Sequence, residues 1–194
     1  MKKINLSPLS KIGFLSIILL FASCKSSFLP YNTTIAVQTE RLSAVSLTEK
    51  RVLIVSYDSD LSREFVISLK NYVKEELKNH KVEAERINIR QNEASDDMAD
   101  VNKLKSEFKP DYLLTIKVRN ERTRKFYIIG GNVKMLRGMT VDFNLTPNIF
   151  DNNGTILWKS TAVINHFYNN EGVATAKKIA KELGIKMQKD SILN

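Results

Sequence analysis

Arg51-Val-Leu-Ile-Val-Ser56 carries four consecutive aliphatic residues with no polar interruption from Val52 to Val55. An unbroken β-rich run suits a strand covered on both faces, which requires helices packed on a sheet. The residues that follow meet that requirement. Asp58-Ser59-Asp60 offers a helix N-cap. Leu61, Phe65, Leu69, Tyr72, Val73 and Leu77 then recur at three- and four-residue steps, the apolar stripe of one helix face. Asn79-His80 closes that helix, and Val82 to Ile89 reads as a second strand. A strand–helix–strand unit of this kind predicts parallel strands joined by a right-handed crossover.

Further along, Ser95 caps a second helix with Met98, Val101, Leu104 and Phe108 inward, and Pro110 stops it. Asp96, Asp97 and Asp100 near its start and Lys103, Lys105 and Lys109 toward its end suit the helix dipole. Tyr112, Leu114, Ile116 and Val118 alternate with Leu113, Thr115, Lys117 and Arg119 as a strand. Phe126–Ile129 is a separate short strand that ends at Gly130-Gly131, read as a turn or bulge. Met139, Val141, Phe143 and Leu145 alternate with Thr140, Asp142, Asn144 and Thr146, the pattern of a half-buried strand. Asp151-Asn-Asn-Gly154 turns the chain, and Thr155 to His166 returns beside it with Trp158 in the core. Val173, Ala176, Ile179, Ala180, Leu183 and Met187 mark a last amphipathic helix. The expected fold is α/β (α+β), a mixed β-sheet in β-α-β-α-β-β-β-β-α order with helices packed on the sheet.

Composition narrows the class. The 194 residues are 43% hydrophobic and 26% charged, with mean hydropathy −0.23. That suits one globular domain and excludes a disordered or polytopic membrane chain. One cysteine excludes an intramolecular disulfide framework or a Cys-rich zinc site, and two histidines leave little for a His-built one.

The one cysteine stands at an informative place. A basic start, Met1-Lys2-Lys3, precedes an apolar run from Ile12 to Ala22 that is shorter than the ~20 residues of a membrane-spanning helix. It ends in Leu20-Phe21-Ala22-Ser23-Cys24, which resembles a bacterial lipobox of the looser Bacteroidota type, with Phe21 in place of the strict Leu. The resemblance implies a lipoprotein signal peptide over 1–23 and a thioether-linked lipid, with further acylation, on Cys24. Removing 1–23 takes Lys2, Lys3 and Lys11 and no acid, so 30 basic residues become 27 against 21 acidic and the net charge falls from +9 to +6. Lys25 rather than Asp follows the cysteine, and Lys25-Ser26-Ser27 lacks the acids linked to surface export. By that analogy the chain is an outer-membrane lipoprotein on the periplasmic face.

Residues 24–50 then read as lipidated cysteine and tether, Ser- and Thr-rich with a short strand near Ile35–Val37, and 51–194 as a single α/β domain. Lys109-Pro-Asp-Tyr-Leu-Leu114 and Gly154-Thr-Ile-Leu-Trp158 resemble short motifs of an envelope module. That module includes the TolB amino-terminal domain, the curli-secretion lipoprotein and the lipoprotein activator of penicillin-binding proteins. The resemblance spans roughly residues 51–189.

No G-x-S-x-G elbow, Walker loop or H-E-x-x-H occurs. With no cysteine beyond 24, His80 and His166 have no thiol partner within the domain. We therefore expect no enzyme, no cofactor, no metal site and no nucleic-acid partner. One stretch is uneven. Lys117, Arg119, Arg122, Arg124, Lys125, Lys134 and Arg137 face a single acid, Glu121. They form either a contact for an envelope protein or anionic polymer, or a sheet edge guarded by charge against pairing. The expected role is a non-catalytic accessory module. An oligomeric secretion pore is the alternative, and a cell-envelope hydrolase is a more remote one.

Overall fold

In a computed structural model, residues 32–57, 63–89, 94–130, 133–168 and 171–194 are described. Strand β2 (Arg51–Tyr57) occupies the interior that its aliphatic run demands. Val52 and Ile54 face one apolar cluster, Leu53 and Val55 a second one on the opposite side. The larger cluster is closed by helices α1 (Arg63–Asn79) and α3 (Gly172–Lys189). The smaller is closed by α2 (Ala94–Phe108), through Val101 and Phe108.

Among the described residues the strands form one six-stranded sheet in the order β1-β6-β5-β4-β2-β3. The others are β1 (Thr34–Arg41), β3 (Glu83–Ile89), β4 (Tyr112–Gly130), β5 (Val133–Phe150) and β6 (Ile156–Phe167). β2 runs parallel to β3 and β4, as the crossover predicts, and every other pairing is antiparallel. This is the expected mixed α+β fold with three helices on the sheet.

The short motifs have local causes. Asp111 Oδ2 accepts from the Arg51 amide at 2.8 Å while the Asp111 amide donates to the Arg51 carbonyl, so the strands after Pro110 and Lys50 start in register. At the last turn Asp151 Oδ1 accepts from the amides of Asn153 and Thr155, and Gly154 takes φ +85°, a conformation that costs glycine little. Trp158 is fully buried, and its Nε1–H donates to Asp190 Oδ2 at 2.8 Å. α1 and α3 approach closely at Gly184, where a methyl group would lie 2.6 Å from Glu76 Cγ.

Three expectations are corrected. The Ser/Thr-rich stretch assigned to the tether is in part a strand, because Thr34–Arg41 pairs with β6 through its whole length. Ile35 and Val37 turn inward while Thr34 and Ala36 stay exposed. Val45 and Leu47 are core residues, and the Leu47 amide donates to the Ile192 carbonyl. The folded unit therefore begins well before residue 51. Second, Phe126–Ile129 is no separate strand. β4 runs on through a bulge at Asn120, whose φ of 57° is one that Asn tolerates. Third, Met139 and Val173 are partly exposed rather than buried, and Ser95 lies inside the first turn of α2 rather than before it. The element order is thus β-β-α-β-α-β-β-β-α. Asp58, Ser59, Asp60, Leu61, Gly131 and Cys24 lie outside the described residues, as does the side chain of Met98.

Candidate functional site

β4 and β5 outrun the rest of the sheet. β2 leaves β4 at the Ser56↔Ile116 pair, and β6 leaves β5 at Val141↔Phe167. From Arg124↔Thr140 to Gly130↔Val133 the two strands pair with each other. At ~3.4 Å per residue this is a two-stranded ribbon roughly 24 Å long. A second register shift, between Phe126 and Tyr127, leaves Arg137 as the extra residue on β5. Bulges of this kind increase local twist and redirect a strand, so the ribbon's two irregularities aim it away from the sheet.

Asp142 fastens the base of the ribbon. Its Oδ2 lies 2.6 Å from Arg124 Nε, and its Oδ1 accepts from the His166 amide at 2.9 Å. His166 itself has φ 57°, marking the residue where β6 breaks register and departs from β5. Burial pushes the Asp142 carboxyl upward, but the His166 amide and the Arg124 guanidinium outweigh it and hold its pKa below the ordinary value. Thr33 Oγ1 bridges the His166 carbonyl and Glu171, which ties the start of β1 to the same corner.

The seven cations do not form one patch. Lys117 and Arg119 lie on the sheet before the bulge. Lys117 Nζ sits 4.3 Å from the Tyr57 ring centre. Arg119 borders a polar depression with Gln38, Thr146, Asn148, Lys159 and Thr161. Arg122, Arg124, Lys125, Lys134 and Arg137 belong to the base and arm of the ribbon. Arg124 is committed to Asp142, and Lys134 Nζ rests 4.2 Å from the Tyr127 ring centre. Arg122 and Lys125 are exposed.

The sequence reading missed the ribbon's apolar half. Ile129, Met135 and Leu136 are 75%, 60% and 58% exposed, with Tyr127 and Met139 partly so. Their residue types look like core. The available signal was the pair of short apolar runs on either side of Gly130-Gly131-Asn132, interleaved with cations rather than followed by a helix.

His80 Nδ1 lies 3.1 Å from the Asn194 carbonyl oxygen, a contact that holds the chain's end against α1. Among the described residues no group of three or more His, Cys, Asp or Glu is placed to hold a metal ion. No helix among them is long and apolar enough to cross a membrane.

No protein-family profile matches this chain, and no curated protein matches it. Solved structures do. The PelC dodecamer from Paraburkholderia phytofirmans is 15% identical with a TM-score of 0.48, over 78% of this chain and 96% of that one. A minor lipoprotein from Acinetobacter baumannii is 10% identical with a TM-score of 0.33, over 73% and 95%. An uncharacterized lipoprotein B from Nitrosomonas europaea is 14% identical with a TM-score of 0.26, over 79% and 83%. These are loose likenesses of shape and assign no function.

Proposed function

We propose that this chain is a non-catalytic envelope protein, anchored through a lipid on Cys24 to the periplasmic face of the outer membrane. Its β4–β5 ribbon docks an anionic partner, an envelope protein or polymer. The observation that carries this reading is the ribbon itself. An edge guard against strand pairing needs charge alone, whereas here exposed Ile129, Met135 and Leu136 stand among Lys125 and Lys134 on strands that continue past the last pairing with β6. Asp142, the one buried acid among the described residues, holds Arg124 and His166, and half-buried Asp190 holds Trp158. That assignment favours a binding role over general acid–base work.

The pore reading fares less well on the same geometry. The free part of β4, Arg124 to Gly130, is seven residues long. A membrane-spanning β-strand needs ~9–11. The docking reading is tested by binding to immobilised polyphosphate. The wild-type chain should be retained at low salt and released as the screening length shrinks from ~10 Å at 0.1 M toward ~3 Å at 1 M. Arg122→Glu with Lys125→Glu should weaken retention, whereas Lys177→Glu with Lys178→Glu on α3 should matter less. Equal losses from both pairs would reduce the effect to net charge and refute a site.

A further inference from the structure

Residues directly opposite in an antiparallel ladder share a face. Lys125 with Met139, Tyr127 with Leu136, and Ile129 with Lys134 therefore make up one side of the ribbon. Along it an apolar stripe leaves the core at buried Val141 and passes Met139, Leu136 and Tyr127 to Ile129, growing more exposed toward the tip. Lys125 and Lys134 border the stripe. Exposed apolar surface concentrated at one end of an arm and edged by cations marks a contact whose partner is both greasy and anionic.

A second observation gives direction. β6 meets β1 at Asn165↔Thr34 and meets β5 at Phe167↔Val141, so β1 begins at the same end of the sheet from which the ribbon departs. Those two strands are separated by one other, about 10 Å in all. The ten residues from Cys24 to Thr34 reach at most about 33–36 Å when fully extended. The ribbon from Val141 to Val133, opposite Thr123 to Gly130, covers about 24 Å. A chain held by Cys24 in a leaflet can thus set the ribbon tip on that same leaflet.

We propose that the ribbon tip is a second membrane contact. Ile129, Leu136 and Tyr127 enter the boundary between headgroups and acyl chains of an anionic leaflet, while Lys125 and Lys134 on the same side meet headgroup phosphates. The inference rests on the reading of the ribbon as a surface for an anionic partner and names that partner as lipid. The arm lies in the interface and does not span, since the two strands together carry cations along their whole length. A lipid on Cys24 and a buried tip then fix the domain at two points, and so set its orientation over the membrane.

The test uses the chain from residue 24 with Cys24→Ser, so that no acyl chain is attached. Tyr127→Cys, on the proposed face, then gives a single thiol for an environment-sensitive fluorophore. With vesicles of phosphatidylglycerol and phosphatidylcholine, the label should shift to the blue and become shielded from an aqueous quencher. Phosphatidylcholine alone should give a weaker response. Ile129→Asp with Leu136→Asp should lower partitioning by at least about tenfold. Trp158 emission and the thermal midpoint serve as controls for folding and should not move.

If the double-Asp variant binds anionic vesicles as tightly as the wild type, the contact is purely electrostatic. Insertion is then overturned while anionic docking stands. Retention on polyphosphate with no vesicle binding likewise overturns insertion and leaves anionic docking standing. Binding to neither overturns both readings. Self-association at working concentrations that the double-Asp change abolishes would identify a second copy as the occupant, and would also overturn the lipid contact.

Discussion

Asp142 is where the ribbon's attachment can be weighed. Asp142→Ala removes the acceptor of the half-buried His166 amide and the partner of Arg124 at once. Arg124 is 59% exposed on its side chain, so it returns to water and its share is that of a surface pair, about 0–1 kcal/mol. The His166 amide is partly shielded at the corner, and an unsatisfied buried donor costs about 1–3 kcal/mol. The expected loss is therefore roughly 1–4 kcal/mol at neutral pH, about 2–16 °C in thermal midpoint for a domain this size. Asp142→Asn retains one carbonyl oxygen for the His166 amide, and should lose about half as much. Because the folded carboxyl is held below the ordinary value of 3.8, its stabilising effect is complete above that value and disappears as pH falls through the lowered pKa. Urea unfolding of wild type and Asp142→Asn, followed by Trp158 fluorescence, should give a gap that is constant from pH 5 to 8 and narrows below about pH 4. A gap under about 0.5 kcal/mol at pH 7, or one that persists unchanged in acid, would refute this account. Hydrogen exchange should report the same event locally, with faster exchange in the ribbon amides than in β2.

The placement of β1 predicts that a chain starting at residue 32 unfolds cooperatively whereas one starting at 51 does not, as read by a urea transition. Leu47→Ala should cost about 2–5 kcal/mol, since Leu47 is fully buried; a cost under ~1 kcal/mol would return the segment to the tether. Trp158 emission should be blue-shifted, and Trp158→Ala should cost about 3–5 kcal/mol with Asp190 losing its indole donor. Cys24→Ala should abolish labelling by a fatty-acid analogue and leave an unprocessed precursor; equal labelling of both chains would remove the lipid anchor from the proposal.

Local pattern was enough where burial is two-sided or periodic. The aliphatic run of β2, the stripe Phe65–Leu69–Val73–Leu77 and the alternation Val141–Phe143–Leu145 could each satisfy their apolar residues in one way, so strand, helix and strand followed directly. Pro110 and Asp151–Gly154 acted through backbone chemistry that needs no distant partner.

Position decided the rest. Thr34–Arg41 resembles a spacer because an edge strand buries little, and what makes it a strand is the free edge of β6, more than 115 residues away in the chain. Tyr127, Ile129, Met135 and Leu136 have core-like residue types, yet they sit beyond the point where β2 and β6 stop and remain exposed. Seven cations close in sequence were legible as a cluster. Whether each faces solvent, a ring or a buried carboxylate depended on two bulges and on the strand lengths of their neighbours. Residue type determined which segments pair and fold, and only the sheet's edges determined which of their side chains remain available to a partner.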